Sequence, residues 1–249
     1  MSKRKQFKNR IKAINFVAEL FGSAIFSLLY FVFISRFLSP DFELDFIVLG
    51  LLIGVAYMAG VYIPFHTYRI HIIPFISIIR ALQKKKIEII YYKIPAQLIG
   101  AFLGTLMYKA FSDYVGGEVV ISDLWQYKIS NLSDVIFFNA ITAFVLCYLF
   151  YVIQLMFRNM GFNSMFYYAL VIQVVFIFTS KVSDITTLNV FGYFSLSILE
   201  GGFDFGYSWF DMLLVHFITP SFVAVLIYFY IKQKFMNQNK SNSKSKQLA

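Results

Sequence analysis

Few side chains in this sequence could do chemistry inside the long apolar runs that make up most of it. The most informative of them are the carboxylate of Glu19, the imidazoles of His66 and His71, and the amide of Asn189. The histidines are five positions apart, whereas metal ligands on one helical face are spaced by four. The spacing therefore favours a structural role, and no metal site is predicted. The motifs H-E-x-x-H and G-x-S-x-G and the phosphate loop are absent, so neither an enzyme nor a cofactor is predicted.

The composition is that of a membrane protein. Of the 249 residues, 59% are hydrophobic and 14% are charged, whereas soluble domains average about 45–50% apolar and about 25% charged residues. The apolar excess excludes a soluble domain. It also excludes a disordered chain, which requires low hydrophobicity. The single cysteine, Cys147, excludes an intrachain disulfide.

Six apolar stretches are long enough to cross a membrane as helices, because about 20 apolar residues cover ~30 Å of hydrocarbon. They are Ile14–Ile34, Phe46–Phe65, Ile94–Phe111, Val135–Phe157, Phe162–Ser180 and Met212–Ile231. Two further apolar segments, Ile70–Leu82 and Ile185–Leu199, are too short to span and are typical of re-entrant segments. We therefore predict an all-α membrane protein.

Basic residues collect at one face of the predicted bundle. They lie in the N-terminal segment 1–13, in the C-terminal tail 232–249, in the run Lys84–Lys86 and at Arg158. Six spans bring all of them to the same side, and the positive-inside rule makes that side of the plasma membrane cytoplasmic. The net charge of +9 therefore reports orientation and does not indicate nucleic-acid binding. The Lys-, Asn- and Ser-rich tail is predicted to be disordered.

The transmembrane domain 14–231 contains the same order of elements twice, in residues 14–111 and 135–231. Each half has two spans, a short segment and a third span, so the halves have opposite orientations and form an inverted repeat. Aligning the short segments pairs Ile73 with Asn189. Paired short segments of this kind point to the permeation site, and two half-helix N-termini that meet there would add partial positive charge.

Short motifs of small and polar residues occur in a fixed order along the predicted spans. They are AELFGS from Ala18, AQLIGAFLG from Ala96, LNVFG from Leu188 and the pair Thr219-Pro220, with Gly54, His66 and His71 between the first two. This order resembles that of the major intrinsic protein family, the aquaporins and glycerol facilitators. The resemblance implies a right-handed bundle of six transmembrane helices and two re-entrant half-helices, assembled as a homotetramer in the lipid bilayer. It also implies a passive channel for water or small uncharged solutes such as glycerol, without a cofactor.

The two N-P-A boxes that the family places at its half-helix tips are altered here. The first corresponds to Ile73-Pro74-Phe75 and the second to Asn189-Val190-Phe191. Only Asn189 keeps the amide that donates hydrogen bonds to a passing solute, and Phe75 and Phe191 replace small alanines. Their rings are expected to separate the half-helix tips or to stack between them.

The resemblance also implies a less polar selectivity filter. The family's filter arginine corresponds to Gly192, and the other filter positions correspond to Ile53, Ile177 and Thr186. Glycine and isoleucine would make the constriction wider and more aliphatic. This change favours larger or less polar neutral solutes over strict water selectivity.

Polar residues near the first half-helix have supporting roles by the same resemblance. Glu19 corresponds to a glutamate that braces the loop carrying the half-helix, by accepting backbone hydrogen bonds. Asn139 is its neutral counterpart in the second half. His66, Arg69 and His71 are expected in the cytoplasmic vestibule, and the alternative for Arg69 is that it snorkels to the lipid headgroups.

Two other functions stay open. The altered boxes are compatible with a membrane protein that keeps this fold but has lost or altered conduction and has a structural or interaction role. Inverted repeats with broken helices also occur in small-solute transporters.

Two G-x-x-x-G patterns predict close helix contacts, because small residues let backbones approach. They are Gly50 with Gly54 and Gly100 with Gly104. The sequence leaves open whether these contacts form within a subunit or between subunits.

Overall fold

The computed structural model of the chain describes residues 3–38, 46–64, 70–115, 132–156, 161–180, 187–200 and 213–247. Four residues that the sequence singled out lie outside these ranges: His66, Arg69, Arg158 and Thr186. All regular secondary structure within the described ranges is helical. This confirms the predicted all-α class.

Eight α-helices make up the described part of the chain. They are α1 (Lys3–Leu38), α2 (Phe46–Tyr62), α3 (Pro74–Gln83), α4 (Glu88–Val115), α5 (Leu132–Met156), α6 (Gly161–Ser180), α7 (Val190–Leu199) and α8 (Thr219–Gln247). A 3-10 turn, Thr187–Asn189, precedes α7, and a π turn, Leu214–Ile218, precedes α8. The short helices α3 and α7 have 10 residues each, about 15 Å, which is half the hydrocarbon thickness.

Four helical segments of the described residues are long and apolar enough to span a membrane. They are Ile11–Arg36, Glu88–Tyr114, Ile136–Ile153 and Leu214–Gln233. The 17-residue helix α2 also presents an apolar outer face, on which Ile47, Leu51 and Val55 are 59%, 51% and 47% exposed. Large exposed apolar surfaces mark membrane contact, so the chain is a multi-pass membrane protein.

The contacts between helices repeat from one half of the domain to the other. α1 packs on α2 and α4, and α5 packs in the same way on α6 and α8. Each half-helix crosses to the last span of the other half, because α7 packs on α4 and α3 packs on α8. α2 and α6 meet at the boundary. These contacts reproduce the predicted inverted repeat.

One of the two small-residue patterns joins α4 to α1 within the subunit. A Cβ atom on Gly100 would lie 2.2 Å from Leu20 O, and one on Gly104 would lie 2.1 Å from Ala24 O. Both distances are far below van der Waals contact with backbone atoms, so only glycine allows the two helices to lie this close together. The close approach encloses the polar side chains that lie between α1 and α4.

The two termini are more helical than the sequence predicts. α1 already begins at Lys3, in the basic segment 1–13, and α8 runs to Gln247, through the tail that was expected to be disordered. Extending an existing helix requires no new nucleation, and lysine and glutamine are good helix formers. The prediction of a disordered tail was based on composition alone and did not take this continuation of the helix into account.

Candidate functional site

The half-helices begin at aligned positions, and their N-terminal ends come together. Ile73 is the N-cap residue of α3 and Asn189 is the N-cap residue of α7. Pro74 opens α3, where a proline loses no helical hydrogen bond and presets the backbone angle. Residues of both ends, among them Pro74, Asn189 and Val190, line one small cavity. The structure thus brings the predicted tip residues together, and their contact with a solute stays a prediction.

Glu19 of α1 is completely buried and holds the segment that precedes α3. Its Oε1 accepts hydrogen bonds from His71 N at 3.0 Å and from Gln97 Nε2 at 2.6 Å. Gln97 Nε2 also donates to Ser77 Oγ of α3 at 2.8 Å. Glu19 and Gln97 together therefore attach the beginning of α3 to α1 and α4. Asn139, the expected counterpart in the second half, is buried on α5.

A lysine that the sequence motifs did not single out pairs with this carboxylate. Lys93 Nζ of α4 forms an ion pair with Glu19 Oε2, and both side chains are buried. A carboxylate at membrane depth is costly unless it is paired, and Lys93 supplies the cation. The sequence did contain a signal for a polar contact at Lys93. Lys93 and Gln97 are four residues apart on α4 and therefore share one face of the helix. Glu19 and Ser23 repeat this spacing on α1.

The carboxamide of Asn189 turns toward α1. Its Oδ1 accepts a hydrogen bond from Ser27 Oγ at 2.9 Å, and its Nδ2 has no hydrogen-bond partner among the described residues. Asn189 occupies the N-cap position of α7, but its side chain makes no capping bond. The Asn189 side chain therefore does not cap α7, since the oxygen that would cap the helix accepts a hydrogen bond from Ser27.

Gly192 makes room for the Asn189 carboxamide. A Cβ atom on Gly192 would lie 2.3 Å from Asn189 Nδ2 and 2.6 Å from its Oδ1. The direction that a side chain at this position would take is thus occupied by Asn189. A filter that is widened at Gly192 stays a prediction.

Gly192→Ala is expected to destabilise the protein by about 1 kcal/mol. Alanine would favour the helix by about 0.8–1.0 kcal/mol over glycine. The new methyl group, however, must displace the Asn189 side chain, which breaks the bond to Ser27 and leaves buried polar atoms unsatisfied, at a cost of about 1–3 kcal/mol. Thermal unfolding of the purified protein measures the change. In an Asn189→Ala background the same substitution should stabilise the protein, and destabilisation in both backgrounds would contradict this role of Gly192.

Two of the expected filter residues lie where α2 meets α6. Ile53 is completely buried, and a Cβ atom on Gly50 would lie 2.6 Å from Ile177 Cγ1. A Cβ atom on Gly54 would lie 3.0 Å from a backbone oxygen of α6, so the other G-x-x-x-G pattern also packs within the subunit. The filter role of Ile53 and Ile177 stays a prediction, as does that of Thr186, outside the described residues.

The two tip phenylalanines belong to different apolar clusters. Phe75 lies in the main core of the bundle and is 1% exposed. Phe191 packs with Ala101 of α4 in a separate cluster, and its ring centroid is 5.6 Å from that of Phe217. The rings therefore do not stack on each other between the tips, because each has apolar partners elsewhere.

The described histidines are both buried. His71 lies in the segment before α3, and His216 lies in the π turn before α8. Among the residues that the structure describes, no group of three or more His, Cys, Asp or Glu side chains is arranged to hold a metal ion.

Four aromatic rings form a chain across the interior of the bundle. This interior ring chain consists of Phe26, Tyr57, Phe150 and Tyr168, which belong in turn to α1, α2, α5 and α6. Tyr57 meets Phe26 and Phe150 edge to face, with centroid distances of 6.2 Å. Phe150 stacks on Tyr168 at 4.6 Å. The chain thus links two helices of the first half with two helices of the second.

A second group of rings surrounds a pair of tyrosine hydroxyls next to α7. The hydroxyl oxygens of Tyr30 and Tyr193 are 2.8 Å apart and share a hydrogen bond in the core. Phe31 packs edge-on against both rings, and Phe176 of α6 packs edge-on against Tyr30. Buried tyrosine hydroxyls need a partner, and here each satisfies the other. The pair attaches the half-helix α7 to α1.

No protein-family model and no curated protein matches this sequence. The arrangement of helices is nevertheless similar to that of solved structures. One of these is the X-ray structure of the aquaglyceroporin from Plasmodium falciparum, which matches with a TM-score of 0.71 and 17% sequence identity and covers 88% of this chain and 95% of that chain. The chain has an aquaporin fold. At this identity, the likeness establishes the aquaporin fold alone, and the solute must be argued from the site.

Proposed function

We propose that this chain is a passive channel of aquaporin type for water or small uncharged solutes. The observation that carries the proposal is the meeting of the N-terminal ends of α3 and α7 inside an aquaporin fold. Each helix N-terminus bears about half a positive charge. Two such ends side by side disfavour cations and protons, whereas neutral solutes are not repelled.

The residues along the proposed path are less polar than the family pattern, which favours solutes such as glycerol. Asn189 Nδ2 is a side-chain amide donor at the tips, whereas Ile73 and Phe75 offer no side-chain donor. Ile53 and Ile177 supply aliphatic surface for the filter. The similarity of the fold to that of an aquaglyceroporin supports the same solute class.

The proposed channel also has a vestibule, an orientation in the membrane and an assembly. We further propose that His71 belongs to a vestibule at the cytoplasmic side, together with His66 and Arg69, which lie outside the described residues, and that the basic termini lie on that side of a plasma membrane. The expected assembly is a homotetramer, in which each subunit contains its own path.

A non-conducting protein is the second candidate, and the interior ring chain favours it. Phe26, Tyr57 and Phe150 are all at least nine-tenths buried and, with Tyr168, they connect the four helices α1, α2, α5 and α6. Closely packed rings leave little space for a file of water molecules. A chain of this kind would convert the channel fold into a structural or interaction protein.

Stopped-flow light scattering on proteoliposomes separates the two candidates. Vesicles that contain the purified chain are exposed first to an osmotic gradient of an impermeant sugar and then to gradients of glycerol and of urea. We expect water and glycerol to cross faster than in protein-free vesicles prepared alongside. A pH gradient across the same vesicles should persist, because the paired helix N-termini exclude protons.

Rates equal to those of protein-free vesicles in all three gradients would reject the channel and support the non-conducting candidate. Faster water flux with unchanged glycerol and urea flux would keep the channel and reject the proposed preference for larger solutes.

A further inference from the structure

A small cavity lies where the ends of the half-helices meet α1 and α4. Its volume is about 10 Å³, and its apolar wall consists of Ile72, Pro74, Ala101, Leu188, Val190 and Phe191. Four polar residues complete the wall: Ser23, Ser27, Gln97 and Asn189. A cavity of roughly 10–15 Å³ holds a single water molecule, provided that two to four polar groups face it.

Three polar atoms of this wall have no hydrogen-bond partner among the described residues. They are Ser23 Oγ, Gln97 Oε1 and Asn189 Nδ2, and the exposed fractions of the three residues are 2%, 0% and 4%. Buried polar atoms are almost always hydrogen-bonded in folded proteins. Their convergence on one cavity therefore points to a ligand that bonds to all three.

The three atoms have complementary hydrogen-bonding properties. Asn189 Nδ2 can only donate, Gln97 Oε1 can only accept, and Ser23 Oγ can do either. Rotating the Gln97 carboxamide so that Oε1 and Nε2 exchange places would be costly, because Nε2 already donates hydrogen bonds to Glu19 and to Ser77.

We infer that this cavity is a binding site for one resident water molecule. The water oxygen accepts from Asn189 Nδ2, one water hydrogen is donated to Gln97 Oε1, and the second hydrogen is donated to Ser23 Oγ. Water is small enough for the volume and offers both donors and an acceptor. The site lies against the closely packed α1–α4 contact, and the inference holds whether or not the chain conducts.

The water gives the tip asparagine a fixed orientation. Ser27 holds the oxygen of the Asn189 carboxamide, and the water holds its nitrogen. Through Gln97, the water also connects α7 of the second half to Glu19 and the start of α3 in the first. One bound water thus joins both half-helices to a single hydrogen-bond network.

Ser23→Ala and Ser221→Ala form a matched pair that tests this inference. Ser221 of α8 also has a buried hydroxyl without a partner among the described residues, but it does not line the cavity. Removing a hydroxyl that binds water should lower the midpoint of thermal unfolding by roughly 2–4 °C for a chain of this size. Removing a hydroxyl that binds nothing should leave the midpoint unchanged or raise it. An unchanged or raised midpoint for Ser23→Ala would overturn the inference.

A direct observation complements the stability measurement. An experimental structure of the full chain, at about 2 Å resolution or better, should contain one density peak within hydrogen-bond distance of Ser23 Oγ, Gln97 Oε1 and Asn189 Nδ2. In the Ser23→Ala variant the peak should weaken or move toward the other two atoms. Well-ordered side chains with no peak between them would refute the site even if the stability data agreed.

Discussion

Lys93→Met is expected to lower the free energy of unfolding by about 3–5 kcal/mol, the usual cost of removing one partner of a buried ion pair. Glu19 is 0% exposed and Lys93 is 5% exposed, so water cannot replace the lost ammonium group. The carboxylate must then stay charged without a cation or become protonated. Protonation would weaken the bonds that Glu19 accepts from His71 N and Gln97 Nε2, and the segment before α3 would lose its attachment.

A double substitution distinguishes the loss of charge pairing from the loss of packing. Glu19→Gln in the Lys93→Met background removes the unpaired charge and keeps a side-chain oxygen for His71 N. The double variant should therefore be more stable than Lys93→Met alone. If it is less stable, the lysine contributes through its packing and not through the ion pair. Unfolding of both variants is measured in the same detergent and at the same protein concentration.

An exposed ion pair between the same two helices provides the control. Lys12 Nζ of α1 lies 2.6 Å from Glu88 Oε2 of α4, and these side chains are 38% and 41% exposed. Exposed pairs contribute about 0–1 kcal/mol, so Lys12→Met should change stability by no more than that. A loss as large as that of Lys93→Met would show that any lysine between α1 and α4 matters equally, irrespective of burial.

The position of Lys93 in the sequence explains why this pair was missed. The third span was predicted to begin at Ile94, because a charged residue normally ends an apolar window. α4 in fact begins at Glu88, and Lys93 lies inside the bundle because Glu19 neutralises it. A pairing between residues 74 positions apart leaves no trace in local hydropathy. The i, i+4 spacing of Lys93 and Gln97 was the available signal.

The helix order was predictable because it depends on local properties. Apolar length sets the spans, and the starts of α3 and α7 follow directly after the aligned pair Ile73 and Asn189. The direction in which a side chain points from an apolar helix is not local. Tyr57 is 4% exposed and Tyr62 is 44% exposed, although both lie in α2, a helix without a charged residue. A helix that is apolar all round has no periodic signal for its inner face, so the interior rings could not be separated from lipid-facing ones.

Tyr57→Ala is expected to raise the osmotic water permeability of proteoliposomes above that of the unsubstituted chain. Tyr57 is the middle of the interior ring chain, in contact with Phe26 on one side and Phe150 on the other. Removing its ring leaves a cavity on the order of 100 Å³, whereas one water occupies about 30 Å³ in the liquid. If the proposed path passes between α1, α2, α5 and α6, this change removes the ring that obstructs the path. The gain should appear whether the unsubstituted chain conducts slowly or not at all.

Two further variants decide whether an increase comes from the path itself. Tyr57→Phe keeps the ring and should retain the original permeability, because the obstruction is steric. Phe144→Ala removes a ring from the outer face of α5, where Phe144 is 50% exposed and stacks on Tyr148, and it should not change the flux either. Since deleting a buried aromatic ring costs about 3–5 kcal/mol, permeability is compared only for preparations that elute as a single folded species.

A folded Tyr57→Ala protein with unchanged flux would show that the ring chain lies outside the path. Equal gains in Tyr57→Ala and Phe144→Ala would point to general leakiness. A gain confined to Tyr57→Ala would place the path between the four helices and identify packing of aromatic rings as what limits it.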